Sequence, residues 1–95
     1  MKIFWTPRAR ADFLTIAGQV ADYHSQGASK NWRKEIYKAV KHLEQFPRLG
    51  RMVPEKQQEN IREILYRDYR IVYQLADKIN ILRIQHGKQR LRLDE

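Results

Sequence analysis

The side chains in this sequence best able to do chemistry are basic. Arg62, Arg67, Arg70 and Arg83 fall in segments rich in Ile, Val, Leu and Tyr, and His86, Lys88, Arg90 and Arg92 follow closely. A guanidinium on a strand is commonly an edge or surface device. Arg70 stands apart because it lies inside Tyr69-Arg70-Ile71-Val72-Tyr73, the most strand-like stretch of the chain. A cation at such a position requires a bound anion or a carboxylate partner.

A second basic group has helical spacing. Lys30, Lys34, Lys38 and Lys41 recur at steps of four, four and three, opposite Trp32, Ile36, Ala39 and Leu43. Each like-charge pair at this spacing costs roughly 0.2 to 0.5 kcal/mol. Either a polyanionic partner or a solubilising face accounts for the stripe.

Other chemistries lose support. The glycine-rich phosphate loop, zinc-binding helix motif, nucleophile elbow and calcium loop are all absent from the sequence. With no cysteine there is no disulfide framework, thiolate metal site or cysteine nucleophile. His24, His42 and His86 are far apart with no carboxylate at ligand spacing, so neither a metal nor any other cofactor is expected. Glu55, Glu59 and Glu63 fall at steps of four, but in a segment that reads as loop turning into strand, where solvated acids are the simpler account. Ser25 and Ser29 flank a turn and are expected to cap it. Trp5 and Trp32 read as core.

The elements that must position the basic residues follow from hydropathy. At 95 residues, 42% apolar and 32% charged, the chain reads as one domain, residues 1–95, with a single core. A net charge of +8, spread over both halves, describes a basic body that attracts polyanions. No signal peptide or membrane-spanning run is visible, so a soluble cytoplasmic protein without membrane partners is expected.

Residues 1–6 read as a strand ending at Thr6-Pro7, a helix start. Residues 7–46 read as an antiparallel helical hairpin. Ala9, Phe13, Ile16, Ala17 and Val20 mark the first helix, Gly27 supplies the turn, and the second helix begins near Ala28 or Ser29. Pro47 to about Asn60 reads as a loop, with Gly50 at a backbone angle that glycine accepts cheaply. Residues 61–86 read as three antiparallel strands, Ile61 to Tyr66, Tyr69 to Leu75 and Ile79 to Gln85, with Ala76-Asp77-Lys78 as a hairpin loop. In the middle strand Tyr69, Ile71, Tyr73 and Leu75 share one face and Arg70, Val72 and Gln74 the other. Residues 87–95 read as a basic tail that frays. The fold class is α+β.

Over nearly its whole length the chain resembles the RelE/ParE toxins of type II toxin-antitoxin modules, of plasmid-stabilisation type. The resemblance lies in Ile3-Phe4-Trp5-Thr6 with Ala9 and Asp12-Phe13, in Leu43-Glu44-Gln45-Phe46-Pro47, and in Leu49-Gly50-Arg51-Met52-Val53-Pro54-Glu55. It continues through Ile61-Arg62-Glu63-Ile64, Tyr69-Arg70-Ile71-Val72-Tyr73 and Ile79 to His86-Gly87. It implies a helical hairpin on a mainly antiparallel sheet, and a cognate antitoxin whose flexible segment wraps the toxin in a hetero-oligomer. Arg51, Arg62, Arg70, Arg83, Lys88 and Arg90 are the candidate partner-binding residues.

The resemblance also implies one of two targets. RelE-like members cut mRNA on the ribosome by driving a 2′-hydroxyl onto its phosphate, which needs a base, an acid and cations for the developing charge. Arg62, Arg70, His86 and Lys88 are the candidate catalytic residues for that reaction. No Tyr, Phe, Trp or His follows His86 to match the late catalytic residue of those enzymes. ParE-like members poison DNA gyrase without chemistry of their own, and the long hairpin with the missing terminal acid favours them. A nontoxic nucleic-acid-binding domain is a third reading, resting on charge alone.

Overall fold

The computed structural model describes residues 1–93; Asp94 and Glu95, the end of the expected tail, lie outside the described residues. The chain runs β1 (Ile3–Trp5), α1 (Pro7–Tyr23), α2 (Gln26–His42), β2 (Arg51–Met52), β3 (Ile61–Tyr66), β4 (Tyr69–Leu75) and β5 (Ile79–His86). Thr6 organises the N-terminal handover. Its Oγ1 accepts the Ala9 N–H at 3.2 Å and so caps α1, with Pro7 in the first turn where no N–H is needed. The same hydroxyl donates to the Ile81 carbonyl at 2.7 Å, which pins the helix start to β5.

The helical reversal differs in detail from the expectation. Ser25, in extended conformation, accepts the Ala28 N–H at 2.9 Å and starts α2 at Gln26, so Gly27 lies inside the helix. α1 ends at His24, whose N–H bonds the Val20 carbonyl, and the Ser25 cap begins α2 without help from glycine. Ser29 is not a cap either. It is buried, and its hydroxyl donates to the Ala17 carbonyl at 2.7 Å, tying α2 to α1.

The sheet order is β1-β5-β4-β3-β2. The predicted meander is present, β3, β4 and β5 pairing antiparallel, but the whole sheet is mixed because β1 runs parallel to β5. The segment read as a loop also contains β2, which pairs with Glu63 and Arg62 of β3. Two exposed residues carry too short a pattern to announce a strand.

One face of the sheet meets the hairpin. Ile71, Tyr73, Ile79, Ile81 and Ile84 pack there with Ala9, Ile16, Ala17, Trp32, Ile36, Val40 and Leu43. The other face carries a smaller cluster, Val53, Ile61, Val72 and Leu91. Leu91 comes from the stretch expected to fray. Instead it is buried, its N–H bonds Glu55 at 3.2 Å, and the Arg90 and Arg92 carbonyls accept side-chain donors from Gln85 and Arg83. One apolar residue among charges was enough to hold the segment down, because the outer face offered a hydrophobic seat.

Gly50 is required for a reason other than its backbone angle, since no glycine has positive φ. A Cβ there would meet the Glu63 carbonyl oxygen at 2.5 Å and the Tyr73 hydroxyl at 2.7 Å. That hydroxyl accepts the Gly50 N–H at 2.9 Å and donates to the Pro47 carbonyl at 2.8 Å, fastening the connection to β4. Gly50→Ala should therefore destabilise the fold by about 1 to 3 kcal/mol through overpacking, read as a lower urea midpoint. An unchanged midpoint would mean that the close approach is not rigid.

Candidate functional site

The outer face of β3 and β4 holds a charged network that begins with register. Glu63 opposes Val72 and Leu65 opposes Arg70, so Glu63 and Arg70 are diagonal neighbours on one face. Glu63 is 1% exposed and Arg70 5%. The Arg70 Nε donates to Glu63 Oε1 at 2.6 Å, and the Arg51 Nε donates to Glu63 Oε2 at 2.8 Å. The free end of the Arg70 guanidinium then grips Glu55 with both terminal nitrogens, at 2.8 and 2.7 Å. Glu55 also accepts the Leu91 N–H, and the Gln89 carbonyl accepts from Arg70.

The geometry explains the titration behaviour. The hydrogen bonds from Arg70 hold the Glu55 carboxyl down to about 2, against a modest opposing effect of burial. The same bonds raise the Arg70 guanidinium above its ordinary value. Of the three acids read as solvated, Glu59 is so, whereas Glu63 and Glu55 are tied into the network. Glu63 is internal and Glu55 is a clamp, while Glu59 is exposed and pairs with Arg48 at 3.0 Å. Alternation with Ile61 on a strand is the signal that marks Glu63 as facing inward.

Beside the network is a cleft of about 430 Å³ lined by Arg51, Glu55, Arg67, Arg70, His86 and Lys88, among others. An aromatic chain positions His86: Trp5, Phe13, Trp32, Tyr69 and the imidazole follow one another with ring centroids 5.5 to 5.8 Å apart. The His86 Nδ1 accepts the Lys88 N–H at 3.2 Å, which fixes the ring against the turn after β5.

Arg62 is elsewhere. It opposes Tyr73 and so shares the helix-side face, and its guanidinium donates to the Glu59 and Gly50 carbonyls. Arg83 lies on the Arg70 face but binds Asp12 of α1 at 2.8 Å. Asp12 also accepts the Ile84 N–H at 3.0 Å, covering the β5 edge beyond the end of β1. A second groove, about 660 Å³, runs there between α1 and β5, lined by Arg8, Asp12, Arg83, His86, Lys88 and their neighbours. Lys88 and Arg90 are exposed.

Of the four candidate catalytic residues the fold brings Arg70, His86 and Lys88 to one cleft, His86 reaching it from the helix-side face where it opposes Tyr69, and leaves Arg62 outside that cleft. Arg70 already donates to Glu63, to Glu55 through both terminal nitrogens and to the Gln89 carbonyl, so its fork is turned to internal acceptors in this state. Among the described residues no cluster of three His, Asp or Glu could hold a metal ion, and no helix is long and apolar enough to cross a membrane.

Residues 3–91 match the family model described as the ParE toxin of the type II toxin-antitoxin system, parDE. Among solved structures, the chromosomal ParDE TA system from P. aeruginosa is similar with a TM-score of 0.78, over 93% of this chain and 97% of that one. At 24% identity that likeness speaks to the fold. No curated protein matches the sequence.

Removing Glu63 should leave the buried Nε–H of Arg70 without its acceptor, while Glu55 still neutralises the guanidinium and Arg51 turns to solvent. Glu63→Ala is therefore expected to cost about 1 to 3 kcal/mol in chemical denaturation. A loss below about 1 kcal/mol would show that water enters the site. The Glu55 clamp predicts acid sensitivity. Its folded pKa is depressed, so its contribution is complete above the ordinary carboxyl value of 4.5 and is lost as pH falls towards about 2. Urea midpoints measured from pH 6 to about pH 2.5 should fall more steeply for the native chain than for Glu55→Gln. Parallel curves would remove Glu55 from the network.

Proposed function

The chain belongs to the ParE toxin family of type II toxin-antitoxin systems, and from that premise we propose that it arrests growth by inhibiting DNA gyrase and is neutralised by a cognate antitoxin. The observation that carries the choice of target is the state of Arg70. A nuclease that drives a 2′-hydroxyl onto phosphate needs free cations and an acid-base pair converging on one point. Here Arg70 is clamped by Glu55 and Glu63, and Arg62 faces the other way. That arrangement weighs against ribosome-dependent mRNA cleavage and favours action by binding.

The antitoxin reading rests on the surface around the C-terminal strands. The cleft beside Arg70 and the groove between α1 and β5 share His86 and Lys88, so one extended peptide can follow both. Exposed Arg51, Lys88 and Arg90 favour an acidic segment there, while Arg83, held by Asp12, acts mainly to shape the groove. Such a toxin-antitoxin hetero-oligomer would work in the cytoplasm, where gyrase and its DNA are found, and the cysteine-free composition suits that reducing compartment.

In a supercoiling assay the purified chain should inhibit gyrase, and the product of a neighbouring antitoxin gene should relieve the inhibition. Full supercoiling at large toxin excess would refute gyrase as the target. Transcripts cut on translating ribosomes, with cutting lost in Arg70→Ala, would instead establish the nuclease.

A further inference from the structure

The basic stripe on α2 is not used by any of the interactions above. Lys30, Lys34, Lys38 and Lys41 are all exposed, as is Arg33 between them, while Trp32, Ile36 and Val40 on the opposite side are buried. Among the described residues, Lys41 bridges Glu44 at 3.2 Å, and Lys30, Arg33, Lys34 and Lys38 form no salt bridge. Glu35 is the sole acid within α2.

Several acids elsewhere in the chain have partners of their own: Asp12 is committed to Arg83, Glu55 and Glu63 to Arg70, and Glu59 to Arg48. These carboxylates pair with arginines on or beside the sheet and not with the lysines of α2. The like charges left on α2 repel one another, and an external line of negative charge would relieve that repulsion.

We propose that the exposed face of α2 binds the phosphate backbone of double-stranded DNA, without reading its sequence. The chemistry of the patch separates DNA from its rivals. Lysine is depleted at the centres of protein interfaces, which rely on aromatic and arginine anchors. A single strand would call for successive aromatic platforms, whereas Tyr37 is the one aromatic residue exposed on this helix. From Lys30 to Lys41 the stripe rises about 16 Å at 1.5 Å per residue, a length over which a duplex presents on the order of ten charges. Point-like ammonium groups on a straight helix match such a uniform line of anions.

Attraction between the isolated chain and bare DNA is independent of gyrase, so it can be tested without that enzyme. Binding of the full chain to a labelled duplex of mixed sequence is measured by fluorescence anisotropy between about 50 and 200 mM salt, the range over which counterion release dominates. The comparison is between the native chain, K30Q/K34Q/K38Q, and the charge-matched control K2Q/K56Q/K78Q, with circular dichroism showing that each variant is folded. The stripe variant should bind roughly tenfold or more weakly at low salt, its log-log salt slope shallower by about 0.9 for each phosphate it no longer neutralises. The control should change far less. Equal weakening in both variants would overturn the proposal in favour of diffuse attraction, as would absence of duplex binding by the native chain. Tighter binding of the native chain to a single strand or to polyglutamate would also overturn it, the latter pointing to an acidic protein.

Discussion

A carboxylate shut away from water has to be neutralised where it stands, and the outer face of this sheet is arranged around that requirement at Glu63. Arg70 and Arg51 supply the two cations, and Arg70 brings Glu55 with it. Because Glu55 lies in the segment after β2 and also receives the Leu91 N–H, one ionic interaction draws three separate parts of the chain together. The apolar cluster of Val53, Ile61, Val72 and Leu91 lies on the same face. Charge and hydrophobic burial act together here: the ion pairs fix the geometry, and the aliphatic groups contribute the favourable free energy that buried pairs alone rarely provide.

This arrangement underlies the proposed choice of target. Most of the Arg70 guanidinium is engaged within the chain, by Glu63, Glu55 and the Gln89 carbonyl, and Arg62 projects from the helix-side face of the sheet. On the proposed reading Arg70 serves architecture. The surfaces proposed for partners are a groove along the open part of β5 and a cleft next to the imidazole of His86, both near that centre, and a lysine-lined helix in the layer on the other side of the sheet.

Much of the scaffold was legible from period and punctuation. Thr6-Pro7, the apolar steps of both helices and the alternation of the last three strands mark elements that the structure contains. The middle strand divides its two faces as alternation predicts, with Ile71 and Tyr73 in the main core and Val72 in the outer cluster. What escaped sequence reading depends on long-range partners. Two residues of β2 become a strand because β3 lies alongside; Leu91 is held because an apolar seat awaits it; and Gly50 is needed for Tyr73, 23 residues away. The site was half legible. Arg70 announced its need for an anion, but that Glu63 and Glu55 supply it emerges from register and from the path of the loop, neither of which is a local property.

The parallel pairing of β1 with β5 joins residues more than seventy positions apart, Ile3 with Ile79. On a ribosome the first strand emerges long before its neighbour exists, so a truncated product ending before β5 cannot complete the sheet. The start of α1 shares that dependence, because the Thr6 hydroxyl that caps the helix also donates to the Ile81 carbonyl of β5.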